Sequence, residues 1–244
     1  MIYAMSDLHG AYDKFIEMLK LIDFGPDDLL YVIGDICDRQ EGGVKIIKEM
    51  MKHPNIIGIA GNHEYMMLKC LKFLTQEITE DSVNDVDEDT MQGLTEWMNV
   101  GGEVTISEFY KLSSEEKQDI IEYISEFDIY EEVEAGGNTF VLVHAGLMNF
   151  EEERPLEDYD VSEVLFYRID PNKTYFKDKY LITGHTPTCL IRAIEEVETL
   201  GTFKTTKENG TIYKNGKNIA IDCGSGYGGQ LGCICLDTLE EFYV

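Results

Sequence analysis

The 244-residue sequence predicts an α/β fold, and three observations carry that prediction. Short apolar runs recur along the chain: "IYAM" (2–5), "LLYVI" (29–33), "IIGIA" (56–60), "FVLV" (140–143), "YLIT" (180–183) and "IAI" (219–221). Runs of this length next to Gly or polar residues read as strands buried on both faces. The segments between the first three runs have helical spacing, and each run is followed at once by ligand-type polar residues. In α/β sheets, ligands sit beyond the carboxyl ends of the strands.

Taken in order, "IYAM" leads into "SDLHG", and "AYDKFIEMLKLI" then sets Phe15, Met18, Leu19 and Ile22 on one helical face. "LLYVI" leads into "GDICDR", followed by a second amphipathic segment, "GGVKIIKEMMK". "IIGIA" leads into "GNHE". This strand–helix–strand alternation predicts a largely parallel core sheet. From about residue 65 to 127 the alternation breaks. "YMMLKCLKFLTQEI" and "SSEEKQDIIEYISEF" are helical in pattern, and "EDSVNDVDEDT" reads as an exposed acidic loop. The segment is expected to form an acidic helical cap inserted into a single domain covering 1–244. Beyond it, "FVLV" precedes "HAG", "YLIT" precedes "GHTP", and "IAI" precedes "DCGSGYGG". "KNGK" (214–217) has the composition of a hairpin turn.

Composition narrows the function classes. Hydrophobic residues make up 43% of the chain, which predicts a globular protein. No apolar stretch is long enough for a membrane-spanning helix, and the first residues lack a basic, cleavable leader. Six scattered cysteines without a CxxC predict free thiols in a reducing cytoplasm and argue against a thiolate zinc site. The formal charge is −27, and residues 76–134 carry 19 acidic side chains against two lysines. Such a field repels polyanions, so nucleic acid is not an expected partner, and neither is a membrane. The acidity is expected mainly to solvate the chain, with an acidic docking surface as the alternative.

Four of the five histidines, His9, His63, His144 and His185, stand at the strand ends, whereas His53 in "KHPN" is expected in a solvated loop. With Asp7, Asp35, Asp38, Arg39 and Asn62 they form a set of oxygen and imidazole donors without thiolate. That chemistry suits manganese, iron or zinc. The donors exceed the needs of one ion and point to a two-metal site, which activates a water and steadies both oxygens of an in-line phosphoryl displacement. Asp35, between the first two clusters, is placed to bridge. Arg39 and Arg168 are two of only four arginines, and a guanidinium can grip phosphate with two parallel hydrogen bonds. The alternative for Arg39 is a surface salt bridge with Asp38 or Glu41.

In order and spacing, "SDLHG", "GDICDR", "GNHE", "HAG" and "GHTP" resemble the phosphoprotein-phosphatase group of the calcineurin-like metallophosphoesterase superfamily. Within it the chain is similar to bacterial and bacteriophage-type serine/threonine protein phosphatases. "WMNVGGEVT" (97–105) and "IDCGSGYGGQLGCICLD" (221–237) extend the likeness over nearly the whole chain. The resemblance implies a metallophosphatase-type β-sandwich of two mixed sheets flanked by helices. It implies two divalent ions, manganese first, with iron or zinc as alternatives. Asp7 and His9 would hold the first ion, Asp35 would be shared, and Asn62, His144 and His185 would hold the second. His63 would be the general acid, Asp38 its orienting partner, and Arg39 and Arg168 the phosphate grips. The implied activity is a phosphomonoesterase acting on phosphoserine or phosphothreonine in a protein or peptide. Dinucleoside polyphosphates or another small phosphoester are the alternative substrates, and a catalytically dead scaffold for phosphorylated partners is a third reading.

Ser6 and Gln40 stand where the group commonly has Gly, but neither position supplies a ligand. "GSGYGG" replaces the C-terminal signature of the eukaryotic enzymes. Glu64 is expected to support structure through hydrogen bonds, and Cys37 to fill space. Trp97 is expected to anchor the cap, Met66 and Met67 to form helix core, and Tyr227 to pack on the surface, with a position overhanging the pocket as the alternative.

Overall fold

In the computed structural model, which describes residues 1–75, 88–195 and 210–244, the first three apolar runs become β1 (Ile2–Met5), β2 (Leu29–Ile33) and β3 (Ile56–Ile59). They run parallel, with Ala4 opposite Tyr31 and Val32 opposite Gly58. The two intervening segments form α1 (Tyr12–Leu21) and α2 (Gly43–Met50). The second sheet contains β4 (Tyr130–Ala135), β5 (Asn138–Val143), β6 (Tyr180–Thr183), β7 (Tyr213–Asn215) and β8 (Asn218–Ala220). β9 (Gly232–Cys235) and β10 (Glu241–Tyr243) return to the first. Strand orders are β10-β9-β1-β2-β3 and β4-β5-β6-β8-β7.

Both sheets are mixed: in the second, the parallel strands β5, β6 and β8 lie between antiparallel edges, whereas in the first β1, β2 and β3 run parallel out to one edge, with the antiparallel pair β9 and β10 beside β1. A largely parallel core sheet, expected from alternation alone, is therefore corrected, while the two-sheet sandwich implied by the resemblance is what the chain adopts. The parallel pairs come from crossover segments. The antiparallel pairs β4–β5, β7–β8 and β9–β10 come from short connections, including the expected "KNGK" hairpin, where Gly216 takes φ +59°.

The alternation of side chains along each strand builds three cores. Ala4, Tyr31, Ile33 and Ile59 face Val133, Phe140, Leu142, Ile182 and Ile219 between the sheets. Tyr3, Met5, Leu30 and Val32 point the other way, onto Phe15, Met18, Ile46 and Ile47 of the helices. Val141, Val143 and Leu181 meet Val164 and Leu165 of the short helix Val161–Leu165 on the far side of the second sheet.

Within the expected cap lie α3 (Asn62–Leu74), α4 (Glu88–Asn99), α5 (Gly102–Tyr110) and α6 (Ser114–Ser125). Trp97, Phe109, Ile120 and Ile124 from these helices join the same buried cluster as Met5 and Val32. The loop expected at "EDSVNDVDEDT" falls mostly outside the described residues. Among the described residues, no helix is long and apolar enough to cross a membrane. All six cysteines are buried and unbridged.

Phe140 is fully buried between the sheets and stacks on Tyr180 with ring centroids 5.1 Å apart. Phe140→Ala is expected to cost about 3–5 kcal/mol, read as a lower urea midpoint at an unchanged slope.

Candidate metal centre

Every polar cluster expected at a strand end sits on one side of the sandwich, and the backbone there is unusual. Among the described residues, nine non-glycine positions have positive φ, and six of them are predicted site residues: Asp7, His9, Asp35, Asp38, Arg39 and His185. Left-handed conformations cost energy for side-chain-bearing residues and concentrate at functional sites. Gly61 meets a different requirement. A Cβ on it would lie 2.4 Å from Asp35 Oδ1 and 2.6 Å from Asp35 N, so only glycine lets the loop after β3 cross the loop after β2.

Asp35, 2% exposed, is the hub of the cluster. Its Oδ1 lies 3.3 Å from His144 Nε2 and accepts the backbone N–H of His63 at 3.2 Å. Its Oδ2 lies 3.5 Å from His9 Nε2 and 3.7 Å from His63 Nε2. Two potential ion-binding groups share it: His9, Asp35 and His63, and Asp35, His144 and His185.

The hydrogen bonds fix which nitrogen of each ring is available. His9 Nδ1 donates to the Cys37 carbonyl at 3.0 Å, and His144 Nδ1 donates to the Ile33 carbonyl at 3.0 Å. Both Nε2 atoms are thus turned inward, the tautomer-setting arrangement common in metal-ligating histidines. His9 Nε2 is buried with no hydrogen-bond partner. His144 Nε2 faces Asn62 Oδ1 at 3.0 Å, and the same oxygen lies 2.9 Å from His185 Nδ1. Acceptors therefore converge with too few protons to satisfy them. A divalent cation is the group that fits such a donor set, and its oxygen and imidazole chemistry suits manganese, iron or zinc.

The charges agree. Burial pushes His9 down to about 3, keeping its ring neutral. Burial and the neighbouring Asp35 push Asp7 up to about 6. Burial would also lower His144, but Asp35 outweighs it and drives that ring up to about 10. Burial and His144 push His185 down to about 3. The carboxylates thus draw a proton onto one imidazole in the metal-free chain, and metal binding would displace it.

Asp7 and His63 both compete for the third place beside His9 and Asp35. Asp7 Oδ1 lies 3.9 Å from His9 Nε2, while Asp7 Oδ2 accepts the N–H of His185 at 2.9 Å. We favour Asp7, because His63 is engaged elsewhere: its Nδ1 stands 2.6 Å from Asp38 Oδ2. Burial alone would lower His63, but Asp35 and Asp38 raise it above the ordinary imidazole value. A cation on Asp35 would take up that charge, leaving Asp38 as the partner belonging to His63 alone.

Arg39 Nη2 lies 3.3 Å from His63 Nε2, and its guanidinium covers the Tyr227 ring at 4.5 Å. Neither of these is the surface salt bridge considered for it. Tyr227 is 61% exposed and overhangs this arginine, which replaces the leading expectation of surface packing with its alternative. Arg168 is exposed at the rim, its Nη1 reaching the His185 carbonyl at 3.5 Å.

Glu64 fills the supporting role expected of it. Its carboxylate accepts the N–H groups of Asp35, Ile36 and Gly61 at 2.7, 2.8 and 2.9 Å, clamping the two ligand loops together. Cys37 is fully buried, and burial together with Asp38 pushes its thiol well up, so it is a space-filling thiol and not a reactive one. Three residues beyond the predicted set also belong here. Trp97 and Thr105 both bond to Asp38, and Asp222 is a buried carboxylate whose Oδ1 accepts the Gly224 N–H at 2.9 Å. Their signals were the segments "WMNVGGEVT" and "DCGSGYGG"; of the three residues only Trp97 had an expected role, as an anchor of the cap.

Asp35→Asn is expected to abolish tight manganese binding at both positions, because the shared charge is lost. Calorimetric titration of wild-type and variant chains checks this, with circular dichroism to show that the fold persists.

Comparison with known proteins points the same way. The symmetrical bis(5′-nucleosyl)-tetraphosphatase of Chromobacterium violaceum is 29% identical over 87 residues, 35% of this chain and 31% of that protein. The corresponding protein of Wigglesworthia glossinidia brevipalpis is 30% identical over 86 residues, 34% of this chain and 32% of that one. The chain thus spans about a third of the length of the curated relatives it matches. Among solved structures, a candidate diadenosine tetraphosphatase superposes with TM-score 0.61 at 15% identity, over 100% of this chain and 92% of that one. The cold-active protein-tyrosine phosphatase of a psychrophilic Shewanella species gives TM-score 0.51 at 15% identity, over 99% and 79%. These structural likenesses concern the fold. The family model for calcineurin-like phosphoesterases matches residues 1–189, a span that contains all of the candidate ligands, and the chain belongs to that family.

Proposed function

We propose that the chain is a metal-dependent phosphoester hydrolase whose substrates are dinucleoside polyphosphates. The observation that carries this reading is a cavity of about 500 Å³ lined by Tyr65, Met66 and Lys69 of α3, Gln92 and Glu96 of α4, and Phe166. Its first lining residue, Tyr65, stands two residues after His63 on α3. Tyr65 and Phe166 meet edge to face with centroids 6.0 Å apart, an apolar wall suited to a nucleobase. In this reading a phosphate at Asp35 and a base in the cavity belong to one extended ligand. The similarity to symmetrical tetraphosphatases supports the same substrate class.

Divalent ions, when bound, supply an activated water and neutralise phosphate charge. The chain does the rest: Arg39 and Arg168 hold phosphate oxygens, and Asp38 sets the rotation of His63. His63 then gives the proton on Nε2 to the leaving oxygen. Tyr227 holds Arg39 from above through its ring face.

One observation favours a second reading, a serine/threonine protein phosphatase. The buried His63–Asp38 pair is a well-supported acid, and a serine alkoxide needs a proton far more than a nucleotide leaving group does.

Rates on diadenosine tetraphosphate and a phosphoserine peptide, measured separately with manganese, iron, zinc and magnesium, decide between them. The nucleotide is expected to be preferred in kcat/KM by about tenfold or more, roughly 1.4 kcal/mol of transition-state discrimination. Chelation should remove all turnover, and manganese should restore it. A phosphopeptide preference would overturn the nucleotide reading and install the second.

A further inference from the structure

The segment "WMNVGGEVT" ends α4 and starts α5, and its side chains meet the site at one residue, Asp38. Trp97 Nε1 donates to Asp38 Oδ2 at 2.7 Å, and Thr105 Oγ1 donates to Asp38 Oδ1 at 2.5 Å. The Asp38 N–H returns a bond to Thr105 Oγ1 at 3.0 Å, and the next amide, that of Arg39, donates to the Gly101 carbonyl at 3.1 Å. Gly102 lies flat against the indole, where a Cβ would come within 2.7 Å of the ring. Trp97, Thr105, Asp38 and His63 are all 2% exposed or less, so water does not compete for these bonds.

We propose that Trp97 and Thr105 are positioning residues for the acid step, through which α4 and α5 set how readily a basic leaving group departs. This rests on the reading of His63 as general acid. Neither side chain touches the reacting atoms. With Trp97 on one oxygen and Thr105 on the other, Asp38 has a single orientation left, the one that keeps Oδ2 on His63 Nδ1. Buried, fully connected networks of this kind hold one geometry. Without either donor the carboxylate can rotate, and His63 loses the partner that aims its Nε2. Trp97 is therefore more than the cap anchor expected from the sequence.

The test uses two artificial substrates at saturating manganese. Phenolate is a basic leaving group that needs a proton, while para-nitrophenolate hardly does. For His63→Asn, turnover of phenyl phosphate should fall by about 10²–10⁴-fold, and that of para-nitrophenyl phosphate much less. Thr105→Val should lower phenyl phosphate turnover by about tenfold and para-nitrophenyl phosphate by less than about threefold, with Thr105→Ser restoring both. Trp97→Phe should act in the same direction. A merely structural role would lower both substrates alike, so equal losses in Thr105→Val overturn the proposal while His63→Asn still discriminates. If His63→Asn does not discriminate, the acid reading itself fails and takes the proposal with it. Should Trp97→Phe misfold, the Thr105 pair decides, because valine matches threonine in shape and serine returns the hydroxyl.

Discussion

Asp35 must carry a negative charge where almost no water reaches it, and much of the surrounding architecture follows from that demand. An isolated buried carboxylate is unfavourable by many kcal/mol unless it is paired or binds a metal. Here three imidazoles surround it within 3.7 Å, and its own N–H is committed to Glu64. Two further buried carboxylates, Asp7 and Asp222, deepen the demand for positive charge. One proton on His144 answers part of it, and divalent cations answer it in full, which is why the geometry is that of a metal site even before any ion is considered.

Holding these groups together requires the backbone to adopt conformations it would otherwise avoid. Six site residues lie in the left-handed region, at up to about 1–3 kcal/mol each, so something rigid must over-determine them. The β1–β2 ladder supplies it by continuing past the strands: Asp7 N bonds Gly34 O, His9 N bonds Asp35 O, and Gly10 N bonds Ile36 O. The second sheet is tied to the same place, with Gly184 N on His144 O and His185 N on Asp7 Oδ2. The inter-sheet core thus has a chemical purpose. It fixes the separation between two half-sites that come from different sheets.

Much of this was legible in the sequence because strand ends are local. Apolar runs marked β1, β2 and β6 to the residue, and the polar residues after them were the ones that converge. What was not legible is long-range. β4, "YEEVEA", is too acidic to read as a strand, and it is one only because it pairs with β5. The bonds from Trp97 and Thr105 to Asp38 cross 59 and 67 residues, and no spacing rule connects such positions. Asp222 went unassigned since an aspartate two residues before a glycine is also an ordinary turn. The overhang of Tyr227 ranked second because exposure of a ring depends on what lies beneath it, here Arg39.

The overall charge of −27 looks hostile to an anionic substrate, but the conflict is one of range. At physiological ionic strength, exposed charges are screened beyond about 8 Å, so the acidic surface acts on encounter more than on the bound state. Inside the site the balance reverses. Arg39 and Arg168 face it, the donor set calls for divalent cations, and the carboxylates are those that would hold them. A phosphate that reaches Asp35 therefore meets positive charge at contact distance, after crossing a repulsive field. The proposed function therefore expects long polyanions, which cannot bury all their charge in one cleft, to be poor ligands. It expects compact phosphates, on a nucleotide or on a peptide, to be the ones that enter. Under the same proposal the leaving group separates those two, and it departs on the side where α3, α4 and the His63–Asp38–Trp97 chain meet.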